Sequence, residues 1–248
     1  MQRYDQLFEI RGSAYDHAMR RYPLARRDEF QQAIAAAALQ PGQVVIDVPA
    51  GGGYLEAFLP NHCQWRGHEP CASFHHGSQD TAGRDLLPLP WPDGSADAAI
   101  SLAGVHHIAD KRPLFHELHR VLKPGARLVL SDVAAGSAEA GFLDGYVGAC
   151  NSTGHEGVYL DATTLHDLSA CGFVIQTAEA RRFHWQFPDV RAMAEFCHQL
   201  FDLQRSTVAD TEQAIRRHLG DPVATPEGVG MPWSLHTIVA HAAATPAA

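Results

Sequence analysis

The stretch VVIDVPAGGGYLEAFL, residues 44–59, decides the fold. Val44, Val45 and Ile46 form a β-branched run of the kind that fills a buried strand. Asp47 closes it, and after Val48-Pro49-Ala50 come three consecutive glycines, Gly51, Gly52 and Gly53. Residues 54–59 then read as helical. Glycines between a strand and a helix let the backbone turn sharply and approach a ligand without a Cβ. A helix start adds unpaired N–H groups that favour a negative group. In an open α/β sheet, ligands bind beyond the carboxyl ends of the strands. A tight turn with no ligand fits the glycines as well, so other segments must choose between the two. A dinucleotide fingerprint would read G-x-G-x-x-G, which this run does not.

Outward from that turn, residues 1–40 read as helical, with apolar residues at helical spacing over 26–39, and Pro41-Gly42 stops the helix. Residues 64–69 suit a second strand and 96–103 a third. An amphipathic helix spans 114–122, closed by Lys123-Pro124-Gly125, and 127–133 is a further strand. Helix over 163–171, strand over 173–180, helices over 190–203 and 210–219, and a last strand over 233–240 complete the series. Strands alternating with helices indicate an α/β domain with a mainly parallel sheet. Residues 134–161 are rich in Gly, Ala and Ser and irregular, and long loops of this kind are usually functional.

Composition narrows the function classes. The 248 residues are 46% hydrophobic and 19% charged, enough apolar material for the core of one domain. No apolar run approaches the roughly 20 residues of a membrane-spanning helix. The opening MQRYDQLFEIRGS lacks the charged-then-apolar pattern of a secretory signal. A net charge of −9 argues against a nucleic-acid partner. Five cysteines, an odd count without a C-x-x-C pair, are no disulfide framework and suit a reduced cytoplasmic protein. The 16 histidines stand out against only two lysines, Lys111 and Lys123, since histidine is both a neutral-pH base and a frequent metal ligand. His62, Cys63, His68, Cys71, His75 and His76 crowd one region, but in no standard zinc spacing. No metal ligand is assigned, although a pair such as His106 with His155 could hold an ion for a chelating acceptor.

Asp47 followed by Pro49, Gly51 and Gly53 resembles the first motif, D-x-G-x-G-x-G, of the class I S-adenosylmethionine-dependent methyltransferases, with Pro49 in place of the first glycine. Glu69, the stretch DLLPLPWPDGSAD from Asp85 to Asp97, then SLAGVHH and LHRVLKPGARLVLSD, follow in that family's order and resemble its type 11 small-molecule group. MPWSLHTIVA, residues 231–240, is similar to the family's last strand. The resemblance implies a Rossmann-like, seven-stranded, mostly parallel sheet with helices on both faces and an antiparallel last strand. It implies a single methyltransferase domain over 1–248, with an N-terminal helical lid (1–40), a cofactor-binding core (41–180), a cap insertion (181–230) and the last strand (231–240).

The same resemblance implies S-adenosyl-L-methionine as cofactor and a small-molecule acceptor methylated in line. Asp47, Pro49, Ala50, Gly51 and Gly53 would face its methionine part, Glu69 its ribose, and Asp85 and Leu86 its adenine, with Ala103 beside them. Arg11 and Tyr15, four apart and so on one helical face, would belong to the lid and bind on the cofactor side. His106, His107, His155 and Tyr159 are the candidates for catalysis on the acceptor side. Phe183, Trp185, Phe187, Phe196 and Phe201 could wall an apolar acceptor pocket, while Met193, Phe196, Cys197 and Leu200 at helical spacing read as core. No membrane partner is expected, and self-association as a homodimer is left open. The alternative function is a non-catalytic or regulatory subunit that binds S-adenosylmethionine.

Overall fold

The computed structural model describes residues 4–74 and 85–244. His75 and His76 lie outside the described residues, as does the end of the alanine-rich tail. Two helices open the chain where one helical stretch was expected, α1 (Tyr4–Arg21) and α2 (Arg27–Ala37). Pro23 accounts for the break, because it has no N–H to donate and disfavours helical backbone in the residue before it. α2 ends at Ala38, whose φ of 48° lies in the left-handed region.

The sheet comprises β1 (Val44–Asp47), β2 (Gln64–Gly67), β3 (Ala96–Leu102), β4 (Leu122–Asp132), β5 (Phe173–Phe187), β6 (Val223–Thr225) and β7 (Gly228–Ala242). Its order is β2-β1-β3-β4-β7-β5, with β6 paired to β7. The first four strands pair in parallel, whereas β7 is antiparallel to β4, β5 and β6. β7 alone therefore runs against the others, as the resemblance implied. Side chains alternate across the sheet. Val45, Ile100 and Val129 enter the core beneath α1, α2 and the C-terminal helices. Ile46, Ala99, Leu128 and Leu130 enter the second core on the opposite face.

α3 (Arg112–Val121) connects β3 to β4, and α6 (Ala162–Ala170) leads into β5. Between β4 and α6, two short helical pieces, α4 (Ala138–Gly141) and α5 (Gly148–Cys150), flank a π-helical turn at Phe142–Val147. α7 (Val190–Leu200) and α8 (Val208–Leu219) lie between β5 and β7. Asp161, Asp189 and Thr207 cap α6, α7 and α8 through their side chains.

Three strand boundaries differ from the sequence expectation. β4 already begins at Leu122, and its register against β3 shifts between Ala96 and Ala98, where the strand bulges through Pro124 and Gly125. Proline cannot donate to the ladder, and Gly125 sits at φ 78°. β5 continues to Phe187 and β7 starts at Gly228, so the stretch 181–230 holds strand ends as well as α7, α8 and β6. Phe183, Trp185 and Phe187 are buried while His184 and Gln186 between them are half-buried, the period of a strand.

Candidate active site

Asp47, Leu102 and Asp132 end three adjacent parallel strands, β1, β3 and β4. Two adjoining cavities open beyond them. The first, of about 510 Å³, is lined by Asp47, Pro49, Ala50, Gly51, Tyr54 and Gly104, among others. The second, of about 540 Å³, is lined by Arg11, His106, His107, His155, Trp185 and Phe201, among others. Phe8, Tyr15, Arg26 and Ala103 border both.

The glycine loop has the geometry its sequence requires. Gly51 and Gly53 sit at φ 55° and 74°, the left-handed region that side chains with a Cβ disfavour. A Cβ on Gly104 would stand 2.6 Å from the Pro49 ring, so Pro49 occupies its position because the facing residue has no side chain. The helix expected after the loop is one short 3₁₀ turn, Tyr54–Phe58.

Asp47 is 3% exposed. Burial pushes its carboxyl up to about 8, against the Trp65 indole hydrogen bond at 3.3 Å, while Glu69 adds a further upward push. Between about pH 4 and 8 the folded chain therefore holds a proton on Asp47 that the unfolded chain has lost, and stability from this group declines as pH rises through that window. A cationic amino group requires the ionised carboxylate. Binding of S-adenosylhomocysteine should therefore release a proton at pH 7 and tighten, by up to roughly tenfold per unit, as pH rises towards 8. Calorimetry in buffers of different ionisation enthalpy measures both effects. Asp47→Asn should abolish the proton release, and proton release that persists in this variant refutes the assignment.

Glu69 is fully buried. Its carboxylate accepts the Gly51 N–H at 2.8 Å and the Cys71 N–H at 2.9 Å, so it holds the glycine loop in shape and does not line either cavity. Glu69→Ala should weaken S-adenosylhomocysteine binding by roughly 1.5–3 kcal/mol, as for a lost charge-assisted partner. An unchanged affinity in the same titration would show that the loop does not depend on this acid.

Asp85, Leu86 and Arg11 also stand elsewhere than the sequence reading placed them. Asp85 is exposed and Leu86 packs against the second core. Neither lines either of these two cavities, and their carbonyls accept from the His68 ring at 3.2 and 3.1 Å. Arg11, assigned to the cofactor side, lines the second cavity instead. It is 4% exposed, donates to the Phe201 carbonyl at 3.4 Å, and its Nε and Nη1 have no partner among the described residues. Burial lowers its pKa to about 10, partly offset by Asp202. Tyr15 sits at the border of the two cavities, its hydroxyl accepting from Arg26.

In the second cavity, His106 Nδ1 lies 2.7 Å from Asp132 Oδ1, and the His106 backbone N–H donates to Asp132 Oδ2 at 3.0 Å. A carboxylate on Nδ1 keeps the proton there and leaves the Nε2 lone pair outward. Burial raises the Asp132 carboxyl, but the His106 ring and two backbone N–H groups outweigh it and hold the acid below its ordinary value. His155 Nδ1 lies 2.9 Å from Asp144 Oδ1, which also accepts the Tyr159 hydroxyl at 2.6 Å and the Gly157 N–H at 3.0 Å. Tyr159 lines neither cavity and shares Asp144 Oδ1 with His155. Burial and the neighbouring His106 push His155 down to about 4, and burial, His106 and His155 lower His107 far below the usual imidazole value. Lys111 donates to the carbonyls of Ile108 and Val158, and Val158 N–H donates to His106 O. These bonds pin the irregular segment over the histidines.

A buried pair ties the lid to the sheet. Arg26 bonds Glu29 through two nitrogens, and the Trp185 indole donates to Glu29 at 2.7 Å. Arg26, Glu29, Asp132 and Asp144 carry this geometry, and none was singled out from the sequence. Asp132, a lone acid ending an apolar strand, had the one readable signal.

Residues 49–130 match the model of a family described as a methyltransferase domain. The fold, with its glycine loop after β1 and β7 reversed beside β4, agrees with that match. A SAM-dependent methyltransferase from Thermotoga maritima superposes with a TM-score of 0.57 at 14% identity, over 96% of this chain and 99% of that one. Residues 49–130 thus match a methyltransferase domain, and the fold around them is the one shared by class I methyltransferases. The 27-O-demethylrifamycin SV methyltransferase of Amycolatopsis mediterranei is 39% identical over 57 residues, 23% of this chain and 21% of that protein. The demethylmenaquinone methyltransferase of Clavibacter sepedonicus is 28% identical over 141 residues, 51% of this chain and 56% of that protein. The chain thus spans between about a fifth and just over half of the length of these curated relatives. S-adenosylmethionine is the cofactor of this class of methyltransferase domain. The first cavity fits it: Gly51 leaves open space where a Cβ would stand, and Asp47 offers a buried acid. No helix among the described residues is long and apolar enough to cross a membrane.

Proposed function

We propose that the chain is an S-adenosylmethionine-dependent methyltransferase that binds its cofactor in the first cavity and a small-molecule acceptor in the second. The observation that carries this reading is the adjacency of the cavities, one built on the family's glycine loop and one lined by three histidines, with Ala103, Tyr15 and Phe8 between them. The names of the relatives, for demethylmenaquinone and 27-O-demethylrifamycin SV, support a small-molecule acceptor.

S-adenosylmethionine supplies an already activated methyl group on its sulfonium, so the main work of the protein is alignment, which can supply several kcal/mol. Asp47 holds the cofactor's amino group, and Gly51 and Gly53 let the backbone approach it. Trp185, Phe201, Trp233 and Leu235 give the acceptor an apolar wall. His106 presents Nε2 to the acceptor and receives a proton there when the nucleophile carries one, with Asp132 stabilising the imidazolium. The lid of α1 and α2, the core and the segment 181–230 act as one domain around these cavities.

Incubation with methyl-labelled S-adenosylmethionine and a panel of small phenols, quinols, amines and acids tests the reading. Label transferred to an acceptor supports it. Tight binding of S-adenosylhomocysteine with no transfer to any acceptor would favour a binding subunit without chemistry.

A further inference from the structure

We propose that His106, His107 and His155 form a binding site for one divalent metal ion of the zinc class, with an open coordination position facing the acceptor cavity. The proposal rests on reading that cavity as the acceptor's. Each histidine offers one ring nitrogen, and the three nitrogens lie within 4.8 Å of one another. Zinc bound about 2.0–2.1 Å from each in a tetrahedral site needs them about 3.3 Å apart, so the rings close in from their present limit of 4.8 Å when the ion binds.

The second shell is already in place. In metal sites a ligating imidazole gives its other N–H to a carboxylate, which fixes the ring and the tautomer. Asp132 does this for His106 at 2.7 Å and Asp144 for His155 at 2.9 Å. Asp144, in the π-helical turn, is itself fixed by Tyr159 and Gly157. Proton transfer to a single base uses one such pair, whereas here two oriented rings and a third histidine converge on one point.

Arg11 completes the electrostatics. Its guanidinium faces the same cavity, 4% exposed, with Nε and Nη1 unpartnered among the described residues. A cation there opposes a bare dication and favours an ion whose fourth ligand is an anionic oxygen. Asp132 and Asp144 offset part of the charge from behind the rings. The class of ligand for the open position is thus an oxyanion, shared between the ion and Arg11. In the metal-free chain His106 Nε2 is the proton acceptor described above; with the ion in place it is a ligand instead.

The test is calorimetric titration of zinc chloride into the metal-free full chain, wild type, Asp144→Asn and His155→Ala, with S-adenosylhomocysteine titrated into each sample. Asp144 is 41% exposed, so its variant keeps the fold if His155→Ala does not. The expected result is one zinc per chain, weakened about 10–100-fold by Asp144→Asn and further by His155→Ala, with S-adenosylhomocysteine affinity unchanged. No zinc binding by the wild type, or a zinc affinity that neither variant alters, overturns the proposal. Loss of S-adenosylhomocysteine binding in the wild type would instead strike the methyltransferase reading, so the two failures are distinguishable.

Discussion

His106→Ala is expected to cut methyl transfer about 10²–10⁴-fold while leaving S-adenosylhomocysteine affinity within about twofold. The ring lines the second cavity and not the first, so the cofactor loses no direct partner. It does lose the atom that faces the acceptor. Asp132→Asn makes a sharper companion, because it keeps the shape of the site. An amide can present its carbonyl or its NH₂ to Nδ1, so the ring is no longer held with its proton there and its lone pair on Nε2. The loss should fall on kcat more than on KM for the acceptor. Steady-state kinetics with the first acceptor identified decide the point, and a His106→Ala enzyme with wild-type turnover would remove His106 from the chemistry.

Glu29→Ala is expected to destabilise the fold by about 3–5 kcal/mol, the cost of leaving a buried partner charge without its counter-ion. Arg26 and Glu29 are 4% and 1% exposed. The guanidinium also lies over the rings of Tyr15, Phe30 and Trp185 at 5.9, 5.4 and 5.3 Å. Removing the acid strands this cation and the Trp185 indole N–H together. In a chain of this size the midpoint of thermal unfolding should drop by roughly 6–20 °C. Arg26→Met combined with Glu29→Ala should recover part of the loss, because the site then carries no uncompensated charge. A single variant that unfolds within about 2 °C of the wild type would show that the pair does not hold the lid.

Much of the fold could be read from residues whose environment is set locally. β1 and β3 are apolar on both faces because helices cover the sheet on both sides, so their runs are continuous and unmistakable. The glycine loop could be read because its left-handed backbone restricts the residue types that fit. Arg11 and Tyr15 share a helical face by spacing, and both do meet the site. Which cavity Arg11 enters depends on how α1 lies against α7, which no local pattern encodes. The continuation of β5 to Phe187 was hidden by Glu179, Arg181 and Arg182, which break the apolar signal although the alternation of Phe183, Trp185 and Phe187 carries it on. Glu29 reads as an ordinary first-turn acid of α2. It is buried by Trp185, 156 residues away in the chain. His155 reaches His106 and His107 only because Lys111 and Val158 fasten its segment across the end of β3.

The most direct measurement is calorimetric titration of S-adenosylhomocysteine into the full chain at pH 7. Binding at one site per chain, with an affinity between about 1 μM and 1 mM and with a proton released that Asp47→Asn abolishes, is the predicted result. No binding at millimolar ligand would contradict the assignment of the first cavity and, with it, the proposed methyltransferase activity.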